Sequence, residues 1–122
     1  MFLQLANTKR DVYKFSQELT LECNKITKLF PNEEKFAMIQ QIRRAAISVH
    51  LNIAEGCSRK SKTERKRYFE IARGSVIEID AAIGIAYKLS YASLEQFQPP
   101  GDNIIKTFKL ISGLITSQDT HN

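Results

Sequence analysis

Apolar residues recur at intervals of three and four along most of this chain, and three interruptions divide the repeat into four runs. The first run is Val12, Phe15, Leu19, Cys23, Ile26 and Phe30. Thr8, with Asp11 three residues later, resembles a capping box at its start, and Pro31 stops it. Asn32 can cap a second helix, with Glu33 and Glu34 at the positive end of its dipole. Its inner stripe is Ile39, Ile42, Ala46, Val49 and Ile53, and it ends where Gly56 can take the left-handed C-terminal conformation.

Ser61 and Glu64 form a Ser-x-x-Glu box, so residues 57–61 are a short turn and a third helix begins at Lys62. Phe69, Ala72, Val76, Ile79, Ile83 and Ala86 carry it about 30 residues, to the region of Tyr91, or roughly 45 Å. The stretch from Leu94 to Gly101 reads as a loop broken by Pro99, Pro100 and Gly101. Asp102 then caps a fourth helix with Ile104, Phe108, Ile111 and Ile115 on its inner face. Residues after Ser117 are polar and expected to fray. The prediction is an all-α, antiparallel up-down-up-down four-helix bundle, a single domain over residues 1–122 with an ordered core from about 8 to 117. At 122 residues and 43% apolar composition, the chain has material for one such core.

The apolar pattern exceeds what one core needs. On the second helix, Ile47 and Leu51 fall away from the inner stripe. On the third, Gly74, Ile77, Ala81 and Gly84 recur by three and four on the far side from Val76, with Ile85 beside them. Glycine in an exposed helix costs about 0.5–1 kcal/mol relative to alanine, whereas a row of small residues lets a second backbone approach. Self-association through Ile47, Leu51, Gly74, Ile77, Ala81, Gly84 and Ile85 is therefore expected.

Charge adds a second candidate surface. Between Cys57 and Arg67 the cations Arg59, Lys60, Lys62, Arg65, Lys66 and Arg67 meet only Glu64, so this segment carries the whole net charge of +5. Such a cluster can be a plain solubilising face, but positive charge in a first helical turn opposes the helix dipole by roughly tenths of a kcal/mol, which points toward a further use. With Arg73 further along and Tyr68 as a possible stacking ring, it is a candidate nucleic-acid-binding site directed at backbone phosphate. An oligomeric scaffold for a protein partner is the alternative.

Little supports catalysis: there is no Gly-rich phosphate loop and no nucleophile elbow, and the only histidines are His50 and His121. Cys23 and Cys57 stand apart without metal-ligand spacing, so reduced thiols are expected, with no metal and no cofactor. Glu55 and Glu78 are assigned with Arg43, Arg44 and Asn52 as structural polar residues, the carboxylates satisfying Arg43, Arg44 or backbone donors. No run of about 18 apolar residues spans a bilayer and no signal-peptide pattern precedes Thr8, so a cytoplasmic protein is expected.

Phe30-Pro31, Gln41 to Ala46, Asn52 to Gly56, Ser61 with Glu64, and Gly74-Ser75 followed by Glu78 together resemble the signature of the 23S rRNA intervening-sequence family. The resemblance covers about residues 10 to 117. It departs at His50, where the pattern has a small or apolar residue, and at Ala81-Ala82, which replaces a more polar pair. It implies a four-helix bundle assembling as a ring, typically a pentamer. It further implies association with structured RNA or, by likeness to a related group, an accessory role beside a retroelement reverse transcriptase.

Overall fold

A computed structural model describes residues 1–6 and 10–119. Four helices account for most of them: α1 Asp11–Thr27, α2 Met38–Ser58, α3 Lys62–Lys88 and α4 Leu94–Asp119, with one 3-10 turn at Asn32–Glu34. There is no strand among the described residues.

Side-chain pairs fix the topology. Ser16 meets His50, Thr20 meets the Ala46 carbonyl and Thr27 meets Arg43, so residue numbers fall along α2 as they rise along α1. Ser75 meets Ser48 and the Gln41 amide donates to the Glu78 carboxylate, which makes α2 and α3 antiparallel. Tyr87 packs on Phe97 near one end of α3 and α4 while Arg65 and Lys66 meet Gln118 and Asp119 at the other. Phe30 stacks near Phe97 and Lys106 lies over Phe15, closing the cycle between α1 and α4. Each helix packs on its two neighbours, and the result is the expected up-down-up-down bundle.

Leu19, Ile42, Val49, Ile53, Phe69, Val76, Ile79 and Ile111 are fully or almost fully buried. Burial of such side chains is worth about 1.5–3 kcal/mol each and dominates the fold. Two inner positions differ from the sequence pattern. Phe15 is only half-buried, while Ser16 is completely enclosed. Phe108 turns outward, and the inner face of α4 carries Asn103 and Thr107 instead, bonded to each other at 2.8 Å so that the buried polar atoms are paired.

The helix ends differ more from the sequence pattern. Thr8 lies outside the described residues, and α1 opens after Arg10 with no side-chain cap. Helix α2 starts at Met38 rather than near Asn32. Adjacent helix axes lie about 8–10 Å apart, and Phe30 folds under Tyr91 and Phe97, at ring separations of 5.3 and 6.2 Å, so residues 31–37 make the crossing. Glu34 holds that crossing by accepting from Tyr91 Oη at 2.5 Å, which pushes the phenol pKa up to about 12.

Gly56 is not left-handed; no glycine has a positive φ, and α2 continues through it to Ser58. Its role is close approach. A Cβ there would lie 2.6 and 2.9 Å from ring carbons of the buried Phe69 and 3.1 Å from Tyr68 Cβ. Helix α3 ends at Lys88 on Ser90, whose φ is 61°. The Ser90 and Tyr91 N–H groups bond to the carbonyls of Tyr87 and Ala86, the Schellman arrangement with serine in glycine's usual place.

The expected loop from Leu94 to Gly101 is the first two turns of α4, with Pro99 and Pro100 inside the helix. Ser93 caps it: Ser93 Oγ accepts from the Gln96 N–H at 3.1 Å, and Gln96 Oε1 accepts from the Ser93 N–H at 2.9 Å. The prolines leave the carbonyls of Glu95 and Gln96 without helical partners, but both residues are exposed to water, and Pro100 itself is buried. Asp102 is no cap; it accepts from Gln98 at 2.7 Å one turn earlier.

Candidate nucleic-acid interface at the α2–α3 turn

The basic segment forms the end of the bundle where α2 gives way to α3. Ser61 Oγ accepts from the Glu64 N–H at 3.0 Å, so the box expected from sequence starts α3. Arg65 then reaches back across the turn. Its Nη1 donates to the carbonyls of Arg59 and Lys60 at 3.0 and 2.6 Å, and its Nε donates to Gln118 on α4 at 2.9 Å. One guanidinium thereby satisfies two turn carbonyls and ties three elements together, a use suited to its fixed fork of donors.

Arg59 is also engaged. Its Nη2 lies 2.6 Å from Glu55 and 3.2 Å from Tyr68 Oη, and its guanidinium sits 5.0 Å above the Tyr68 ring. The bond to Glu55, ahead of the fields of Tyr68 and Glu55, pushes the guanidinium pKa up. One face of Tyr68, the sequence-predicted stacking ring, is thus occupied by Arg59. Lys66 pairs with Asp119 at 2.7 Å, which likewise raises its pKa. Arg59 and Arg65 are therefore committed within the fold and Lys66 is paired with Asp119 at the surface, while Lys60, Lys62 and Arg67 are exposed residues of the same turn. Arg73 is half-buried and lies about 16 Å along the axis from Lys62, outside the turn.

Sequence reading missed Gln118 and Asp119, which continue α4 instead of fraying. A recurrence of Leu114 and Ile115 before them, three and four residues after Ile111, was the available signal. Beneath the turn, Ala6, Arg10, Cys57, Arg65, Phe69 and Gln118 line a cavity of about 170 Å³. Burial raises the Cys57 pKa despite Arg10 and Arg65 nearby, and that of Cys23, enclosed in the core, is pushed up to about 12, so both thiols are protonated at neutral pH.

The structural polar residues also find partners other than those expected. Arg43 Nε donates to Thr27 Oγ1 at 2.9 Å, Glu55 serves Arg59, Glu78 accepts from Gln41, and Asn52 donates to the Ser48 carbonyl and hydroxyl. Arg44 stands exposed at the rim of a groove with Phe36, Met38 and Ile85. Ser16 and His50 approach to 2.7 Å, with Ser16 wholly buried and His50 half-buried, so the Ser16 hydroxyl is closed off from solvent. No grouping of three metal-ligating side chains occurs among the described residues, and no helix there is long and apolar enough to cross a membrane. His121 lies outside the described residues.

His50 also packs edge-on against Tyr13, 4.6 Å between centroids, and burial lowers its pKa below 6.5. Because the folded value lies below the unfolded one, its contribution to stability is full above pH 6.5 and is lost as pH falls from 6.5 through the folded value. Melting temperature is expected to drop between about pH 7.5 and 5.5, and His50→Gln is expected to flatten that part of the profile. An unchanged profile in the variant would show that His50 does not titrate against folding.

The predicted oligomer surface is exposed but divided. Ile47 and Leu51 stand on the outside of α2, 46% and 56% exposed. On α3, Ile77 opens into a groove of about 310 Å³ with Ile105 and Phe108 of α4, whereas Ile85 opens onto the α2 side. Ala81 is exposed, and nothing lies within 4 Å of a Cβ built on Gly74 or Gly84.

No curated protein matches the chain. A crystal structure of a protein of unknown function from the S23 ribosomal protein family of Bacteroides thetaiotaomicron VPI-5482 is similar. It shares 25% identity at a TM-score of 0.78, over 85% of this chain and 97% of that one. Residues 8–113 match the family described as 23S rRNA-intervening sequence protein, and with its four-helix fold the chain belongs to that family.

Proposed function

We propose that this protein is a non-enzymatic, homo-oligomeric four-helix bundle that binds the phosphate backbone of structured RNA or DNA through the α2–α3 turn. The observation that carries the reading is the division of the turn: Arg65 braces it from behind while Lys60, Lys62 and Arg67 remain exposed on its surface. A braced turn presents its charges with little ordering cost. Phosphate contacts of this kind supply affinity without reading sequence.

Assembly would repeat the turn. Five copies would place about +25 around a ring, strengthening long-range attraction for a polyanion. The large apolar residues Ile47, Leu51, Ile77 and Ile85, exposed on α2 and α3, support that assembly, since exposed apolar surface marks interaction sites. Ile77→Glu or Ala81→Glu is expected to convert the oligomer to monomer in light scattering without unfolding it. Persistence of the oligomer in both variants would move the interface elsewhere.

The test of binding is a salt series with structured RNA and duplex DNA, with light scattering on the same samples. A straight fall of log affinity against log salt supports the reading, with a slope of about −0.9 for each phosphate neutralised on a DNA duplex. No binding at low salt by a clean oligomer overturns it. The groove formed by Ile77, Ile105 and Phe108 favours the second reading, a scaffold or accessory subunit for a protein such as a reverse transcriptase. Under that reading the basic turn is dispensable and the interface substitutions abolish partner binding together with assembly.

A further inference from the structure

The last turn of α4 lies against the start of α3, and it brings a carboxylate to the basic turn. Asp119 Oδ1 is 2.7 Å from Lys66 Nζ, and Gln118 accepts from Arg65 beside it. Each charge sits near the helix end that its dipole disfavours: Asp119 at the negative end of α4, Lys66 close to the positive end of α3. Their pairing offsets both penalties.

We propose that Asp119 is an internal competitor for phosphate, occupying the Lys66 ammonium in the free protein and displaced when a nucleic-acid backbone binds. The last turn of α4 then sets the affinity of the site. This rests on the nucleic-acid reading above and extends it to regulation.

Three observations support displacement. The pair is exposed, with side-chain exposures of 37% for Lys66 and 57% for Asp119, so it is weakly held. A phosphate arriving at the α3 N-terminus meets the favourable end of that dipole, unlike Asp119 at the end of α4. Ile115 is the last buried residue of α4, so release of residues 116–119 gives up the Gln118–Arg65 bond but withdraws no fully buried side chain. Glu55, the other carboxylate paired in the turn, differs: its partner Arg59 is also held by Tyr68.

The experiment measures affinity of the full chain for a duplex RNA across a salt series, for wild type, Asp119→Asn, Lys66→Met and the double variant. Asp119→Asn is expected to bind about three- to tenfold more tightly at low salt, with a salt slope steeper by about one phosphate. The gain is expected to vanish in the double variant, because Lys66 is the group released. Amide exchange over residues 116–119 is expected to rise when RNA binds to wild type. Equal affinity of Asp119→Asn and wild type, or a gain that survives removal of Lys66, overturns the competitor while leaving RNA binding intact. Absence of binding by every variant at low salt overturns both the competitor and the nucleic-acid reading.

Discussion

Gly56→Ala is expected to destabilise this bundle, although alanine is the better helix former. Gly56 lies inside α2, where replacing glycine by alanine would by propensity alone gain about 0.5–1 kcal/mol. The added methyl instead meets the Phe69 ring at 2.6 Å, and Phe69 is 1% exposed, so the ring has no solvent into which to retreat. Overpacking of that kind costs about 1–3 kcal/mol and prevails over propensity. Gly113 provides the matched control, because nothing lies within 4 Å of a Cβ built there on α4. Gly113→Ala is expected to raise stability by about 0.5–1 kcal/mol.

Thermal melts should therefore move in opposite directions, by about 3–6 °C per kcal/mol for a chain of this size. Adding Phe69→Leu separates a clash from any other defect. The smaller side chain vacates the contested space, so the double variant should be less destabilised than the sum of the two single variants. If Gly56→Ala melts at or above wild type, α2 and α3 do not approach as closely as described, and the turn they support is looser.

Gly56 also marks where sequence reading reaches its limit. A glycine at the end of an apolar stripe has two uses, left-handed termination and close approach, and the local pattern favours the first. Only the partner helix distinguishes them, since Phe69 is thirteen residues away and reaches Gly56 because the intervening turn reverses the chain. The inner stripes were legible because burial against a single core imposes a 3.6-residue period, and Ile42, Val49, Ile53, Phe69, Val76 and Ile79 all fall where that period places them. The start of α4 is a different case. Ser93-Leu94-Glu95-Gln96 is a complete capping signal in the sequence, outweighed in the reading by two prolines that the helix accommodates where Glu95 and Gln96, the residues that lose their helical partners, are exposed. The basic cluster was legible as a run of charge but not as a division of labour. Whether Arg59 and Arg65 turn back onto the fold and Lys66 is paired at its surface depends on Glu55, Tyr68, Gln118 and Asp119, which lie on three different helices.

That division makes the strongest functional prediction selective. Lys60→Glu, Lys62→Glu and Arg67→Glu in one variant are expected to weaken binding to a nucleic-acid duplex at least about a hundredfold at low salt, through diminished counterion release and added repulsion. The salt slope on duplex DNA should become shallower by about 0.9 for each phosphate that the variant no longer neutralises. Structure should survive, because all three residues are exposed and the buried core is untouched. Lys62→Glu even places an acid in the first turn of α3, where the dipole favours it by about 0.3–1 kcal/mol. A variant that melts no lower than wild type yet no longer binds would exclude unfolding as the cause. Arg65→Met should behave differently: it removes the donor that holds the carbonyls of Arg59 and Lys60, so it should lower the melting temperature as well as affinity. Should the triple variant bind as well as wild type, the exposed cations of the turn are surface charge alone, and the apolar grooves beside α3 become the surface on which the protein meets its partner.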